Sequence, residues 1–287
     1  MDKKELKRRL DALNRKPVEK KPKSAILYRR DHPSPRPHRP QPKPSLFPLA
    51  LQDAVKGEEV KHSSGDKAFV IESPVSKLEE IREPPCLRLK HHLDDPLSNV
   101  RQWIDLFCDA ARIDLKSLLF LDLETTGLSS TPLFLIGTMC WEGEGLVVRQ
   151  LFARDYSEEK GVLRLFHELA QNKRFFVSFN GKTFDVPYVQ ARAAANGVSS
   201  LSPSHHLDLL HVSRRIWKRR LPNCKLQTLE QYVCGRNRLG DIPGSDIPRA
   251  YHDFVRTGDA WEMVECLKHN MLDLVTLADL MVRLPPP

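Results

Sequence analysis

The stretch FLDLETTGL, residues 120–128, sets two acids two residues apart inside an apolar run. Side chains alternate along a β-strand, so Asp122 and Glu124 point together while Leu121 and Leu123 bury on the other side. The apolar runs Leu118–Leu121 and Leu133–Ile136 make this a central strand rather than an edge. Two carboxylates that close raise each other's pKa unless a cation holds them, and hard divalent ions favour oxygen ligands. The spacing therefore reads as half of a metal site.

Outward from this strand, LLFLDLE, PLFLIGTMCWE and GLVVRQLFA are three strand-like runs joined by short Gly- and Ser-containing turns, which favours an antiparallel meander. KAFVIES (67–73) reads as a further strand, and 98–113 as a helix with Val100, Ile104, Phe107 and Ala111 on one face. Residues 157–171 form a helix with Ser157 as N-cap and Val162, Leu165, Phe166 and Leu169 as its buried stripe. FFVSF (175–179) is a buried strand, 184–197 a helix ending near Gly197, and HLDLL a last strand. The remainder to Leu284 reads as helices broken by the turn GDIPGSDIP. The sum is an α/β domain with a mixed sheet and a helical C-terminal portion.

Two more acidic positions stand out. SFNGKTFDVP (178–187) ends a buried strand at an Asn-Gly turn and sets Asp185 in the first turn of the next helix, where an acid also suits the helix dipole. The last long helix opens with Asp259 and Glu262 at capping-box spacing. On it His269 and Asp273, four residues apart, share a face opposite the apolar stripe. Periodicity alone makes that face solvated, although Leu272 and Leu280 on the same side point to partial cover.

The three stations in this order resemble the DnaQ-like, or DEDD, 3'-5' exonucleases of the ribonuclease H-like fold. A closer resemblance is to the YprB-like ribonuclease H-like domains, over roughly residues 60–284. It includes FLIGTMCWEGEGLVVRQLF, FNGKTFDVP, HLDLLHVSRRIWKRRLPNCKLQTLE, IPGSDIPRAYHDFVRTGD and HNMLDLVTLADL. The resemblance implies a ribonuclease H-like mixed sheet flanked by helices. It also implies four carboxylates, Asp122, Glu124, Asp185 and Asp273, that hold two divalent cations, Mg2+ or Mn2+, with His269 beside the attacking water. Thr125, Thr126 and Leu128 would meet the terminal nucleotide, Asn180 and Lys182 its sugar or phosphate, and Asn270 would share in placing the water. One departure concerns His269. The histidine subfamily sets its His five residues before the last Asp, whereas here the spacing is four, as in the tyrosine subfamily.

Composition divides the chain of 287 residues. Residues 1–44 carry fifteen of the 45 basic and five of the 37 acidic residues, a charge of +10, and the remainder sums to −2. This front is proline-rich and poor in aromatics, which reads as a disordered basic tail over residues 1–59, with the folded domain at 60–287. Leu6, Leu10 and Leu13 could form a short amphipathic helix for a protein partner, a nucleic acid or an acidic surface; a solubilising leader fits the composition equally. The six cysteines show no CxxC and no metal spacing, as in a reducing compartment. With no apolar run of membrane length and no secretory leader, the expected location is the cytoplasm, away from membranes.

The expected activity is two-metal phosphodiester hydrolysis, as a 3'-5' exonuclease on single-stranded or frayed DNA or RNA. The alternatives are a structure-selective endonuclease and a non-catalytic nucleic-acid-binding module. HVSRRIWKRRLPNCK supplies a basic patch around Trp217, which is either a stacking ring or part of the core.

Overall fold

The computed structural model describes residues 48–81, 83–108, 113–127 and 131–287, all within the unit Pro44–Pro287. In chain order the elements are α1 (Leu51–Ala54), β1 (Glu58–Lys61), β2 (Lys67–Pro74), α2 (Cys86–Asp94), α3 (Asn99–Asp105), β3 (Leu118–Thr125), β4 (Leu133–Glu142), β5 (Gly145–Phe152) and α4 (Glu159–Ala170). They continue as β6 (Phe175–Ser178), α5 (Asp185–Ala195), β7 (His205–Asp208), α6 (Leu209–Trp217), α7 (Leu226–Leu229), α8 (Ile247–Thr257) and α9 (Trp261–Val282). A single π turn, Glu230–Cys234, follows α7.

The strands make one sheet in the order β1-β2-β5-β4-β3-β6-β7. Neighbours from β1 to β3 pair antiparallel, and β6 and β7 run parallel to β3. The expected meander of β3, β4 and β5 is the middle of this sheet, so β4 is buried on both faces over nine of its ten residues. The two faces hold separate cores. Leu119, Leu121 and Leu123 join Val162 and Phe166 of α4, Val189 of α5 and Tyr251 of α8. Leu118, Phe120 and Val177 join Leu89 of α2, Val100 and Ile104 of α3, Val212 of α6 and Val275 of α9. This mixed sheet flanked by helices is an α/β ribonuclease H-like fold.

Several boundaries differ from the sequence reading. Glu58 and Glu59 belong to β1, and Leu51 is buried on α1, so the fold reaches into the segment assigned to the tail. The edge strand EEVK has no apolar alternation to announce it; it is fixed by backbone pairing with β2 and by Glu59 meeting Lys67 and Arg154 at 2.9 and 2.6 Å. The helix expected through residue 113 ends at Asp105, and Ala111 falls outside the described residues, as do residues 1–47 with their amphipathic leucines. Asp155, not Ser157, is the capping acceptor before α4, at 2.8 Å from the Ser157 amide. HLDLL turns from strand to helix at Asp208.

Candidate nuclease site

The site grows from the end of β3. Asp122 and Glu124 continue the strand face that carries Leu118 and Phe120, so one face passes from apolar core to paired acids as the strand leaves the second core. Both acids stay partly accessible. Burial pushes the Asp122 carboxyl well up from its ordinary value, and the charges of Asp273, Glu124 and Asp185 add to this. Burial does the same to Glu124, with Asp273, Asp185 and Asp241 contributing.

Asp122 is held from behind. Fully buried Asn270 donates Nδ2 to Asp122 Oδ2 at 2.8 Å. Its Oδ1 accepts from Gln150 Nε2 at 2.9 Å, and Gln150 also donates to the Leu267 carbonyl at 2.7 Å. Gly137 stands opposite Asp122 in the ladder, and a Cβ there would lie 2.1 Å from Asn270 Oδ1. Only glycine lets α9 approach the sheet this closely.

Asp185 is the first residue of α5 and is buried. Burial raises its carboxyl to about 7; backbone hydrogen bonds oppose the rise and the charge of Asp208 assists it. Asp208, the cap of α6, positions the preceding turn: it accepts from the amides of Asn180, Lys182 and Leu210 at 2.8, 3.1 and 3.0 Å. Asn180 takes φ 71°, the left-handed conformation that Asn tolerates.

The third station is covered, against the periodicity. α9 is buried on nearly every side, and His269 is 8% exposed. Its Nδ1 meets Asp241 Oδ1 at 2.9 Å, and its Nε2 lies 3.6 Å from Asp273 Oδ2. Burial works against charge on His269, but the Asp241 hydrogen bond and the charges of Asp273 and Asp241 outweigh it and hold the pKa above its ordinary value. Arg238 Nη2 lies 2.5 Å from Asp273 Oδ1. Among the described residues no three His, Cys, Asp or Glu side chains converge tightly enough to enclose a metal ion as they stand. Their chemistry still suits one: clustered oxygen donors whose mutual repulsion a hard dication relieves.

The other expected contacts divide. Thr125 Oγ1 donates to the Gly127 carbonyl at 2.7 Å and Thr126 Oγ1 to the Pro132 carbonyl at 3.0 Å, so both hydroxyls brace their own loop. Leu128 lies outside the described residues. Lys182 is exposed, with its ammonium 5.0 Å over the Phe107 ring. Asn270, expected beside the water, instead spends its amide on Asp122 and Gln150. Trp217 is half-buried and packs against the core. Sequence reasoning missed Arg238, Asp241, Asp208, Gln150 and Gly137. The first two sit in a turn-like segment that nothing local ties to a helix thirty residues on, and the last three act through partners distant in the chain.

With this geometry in place, the family model described as RNase_H superfamily matches residues 119–285, and the chain belongs to that superfamily. Within it, the chain is similar to the "Uncharacterized protein YprB" of Bacillus subtilis (strain 168), 28% identical over 233 residues. The match covers 77% of this chain and 55% of the relative, so the chain spans about half the relative's length. A structural match, with TM-score 0.46 and 17% identity, is the family B DNA polymerase from the hyperthermophilic archaeon Pyrobaculum calidifontis; it covers 57% of this chain and 24% of that one. No helix among the described residues is long and apolar enough to cross a membrane.

Proposed function

We propose that the protein is a metal-dependent nuclease that removes nucleotides from the 3' end of single-stranded or frayed nucleic acid. The observation that carries this is the placing of four acids from three chain segments, Asp122, Glu124, Asp185 and Asp273, in one region, where burial first and neighbouring carboxylates second push three of them upward. Such a cluster destabilises a fold unless cations use it. Asp122, Glu124, Asp185 and Asp273 would hold two Mg2+ or Mn2+ ions, which when bound supply Lewis acidity and neutralise charge on a phosphodiester.

The chain's own residues do the rest. Asn270 orients Asp122 through the bond described above. Asp241 holds His269 Nδ1, so Nε2 is the nitrogen turned toward Asp273, where it can accept a proton from a water or orient it. The preference for a 3' end follows the DEDD resemblance.

The test is cleavage of end-labelled single-stranded DNA and RNA with Mg2+, Mn2+ or EDTA, comparing wild type with Asp122→Ala. A metal-dependent ladder shortening from the 3' end, and lost in the variant, is expected. Internal cuts would replace the exonuclease reading by an endonuclease. Metal-independent binding without cleavage would remove catalysis altogether.

A further inference from the structure

Arg238 answers the question of what compensates these acids in the protein as it stands. Its side chain is 6% exposed, and each guanidinium nitrogen meets a carboxylate. Nε donates to Glu230 Oε2 at 2.6 Å, Nη1 reaches Asp241 Oδ2 at 3.4 Å, and Nη2 lies 2.5 Å from Asp273 Oδ1.

The contacts are unequal in kind. Glu230 is almost fully buried on the π turn and takes an aligned hydrogen bond from Arg238 Nε, which makes it a fixed anchor. Asp273 Oδ1 is close to Arg238 but is left without an aligned hydrogen bond. The charge of Asp273 contributes more to that contact than hydrogen bonding does, so a stronger cation can take it.

The backbone gives the guanidinium somewhere to go. Residues 236–239 form a strap between Gly235 and Gly240, both left-handed, with φ 73° and 74°. Beside the strap opens a cavity of about 580 Å3 lined by Arg238 and by charges of both signs, among them Glu83, Asp241 and Glu265 and also Arg88, Lys268 and Arg283. Nη1 also reaches the His269 carbonyl at 3.4 Å and Nη2 the Thr276 hydroxyl at 3.5 Å, contacts much longer than the 2.6 Å bond from Nε to Glu230.

We propose that Arg238 is the resident cation of the acid site. It compensates Asp273 at 2.5 Å, and a divalent ion must take Asp273 from it. The inference rests on the metal-site reading above. An arginine left beside a bound dication would suffer like-charge repulsion, so binding and withdrawal are one event.

Calorimetric titration with MnCl2 tests this on the full chain in wild type, Arg238→Gln, Arg238→Lys and Asp122→Ala, with circular dichroism confirming the fold of each. Arg238→Gln should bind Mn2+ about tenfold or more tightly than wild type, because the competitor is gone. Arg238→Lys should fall between the two, because an ammonium cannot span three carboxylates as a planar fork does. If Arg238→Gln does not fold, Arg238→Lys decides. Unchanged or weaker Mn2+ binding in the folded variants would overturn the proposal and make Arg238 a group that orients Asp273 for the ion. Uptake that survives Asp122→Ala, or no uptake by any of the four proteins, would sink the metal-site reading and this inference with it.

Discussion

Asp185 and His206 show how single residues pull the stability of this fold in opposite directions. His206 is buried, with Nε2 2.7 Å from Ser178 Oγ, and burial pushes its pKa down to about 4. Between pH 4 and the ordinary value near 6.5, the unfolded chain binds the proton that folded His206 refuses, so stability rises with pH through that window. Asp185 ionises near 3.8 when unfolded and near 7 when folded, so its contribution falls as pH rises from about 4 to 7. Asp185→Asn keeps the shape and removes that descending contribution. Without metal, the variant should be more stable than wild type at pH 7.5 by roughly 1–3 kcal/mol, with the gain shrinking toward pH 4. Urea melts at pH 4.5 and 7.5 check this; an equal or lower stability at pH 7.5 would mean that the acid's backbone hydrogen bonds outweigh its crowding.

At the scale of elements, the decisive contact is α9 laid across β3 and β4, and one missing side chain permits it. In Gly137→Ala the new Cβ meets Asn270 at 2.1 Å, so Asn270 must leave Asp122 and Gln150 or the helix must lift. Overpacking of this kind costs about 1–3 kcal/mol, and two buried amides lose their partners with it. The variant should show a lowered urea midpoint together with weaker Mn2+ binding; a lowered midpoint with unchanged Mn2+ binding would show that Asn270 is structural only. These elements were unequally legible in the sequence. The alternation of β3 is local, so the orientation of Asp122 and Glu124 could be read directly, as could Asp185 opening α5. The burial of His269 could not. Its periodicity describes a solvated face, and the cover comes from residues 230–241, folded over it through a π turn and a strap whose Asp and Gly residues read as turn chemistry. Arg238 and Asp241 thus became visible only with the tertiary structure.

Across the whole molecule, the cations divide into two populations. Arg149, Arg154, Arg192 and Arg249, like Arg238, are tied to carboxylates. Arg214, Arg215, Lys218, Arg219, Arg220 and Lys225 are all exposed, and none has an ion-pair partner among the described residues. Their segment is anchored by Ile216, Trp217 and Leu221 against the core. It begins at α6, whose cap Asp208 also fixes the turn before Asp185. A free basic surface leading away from the acids suits a phosphate backbone. Its affinity should be electrostatic, with counterion release as the signature. Replacing Arg214, Arg215, Arg219 and Arg220 by Gln in the Asp122→Ala background should make the dependence of log K on log salt for a single-stranded oligonucleotide shallower by roughly 1–3, since each lost phosphate contact on a single strand removes about 0.7. Fluorescence anisotropy across a salt series measures the slope without cleavage. Oligonucleotide length separates a track from a diffuse field: along a track, the loss appears only when the strand extends well past the acids, and shorter oligonucleotides bind the variant and its parent alike. A slope that does not change at any length would take the strand off this surface and leave the +10 charge of residues 1–44 as the source of attraction.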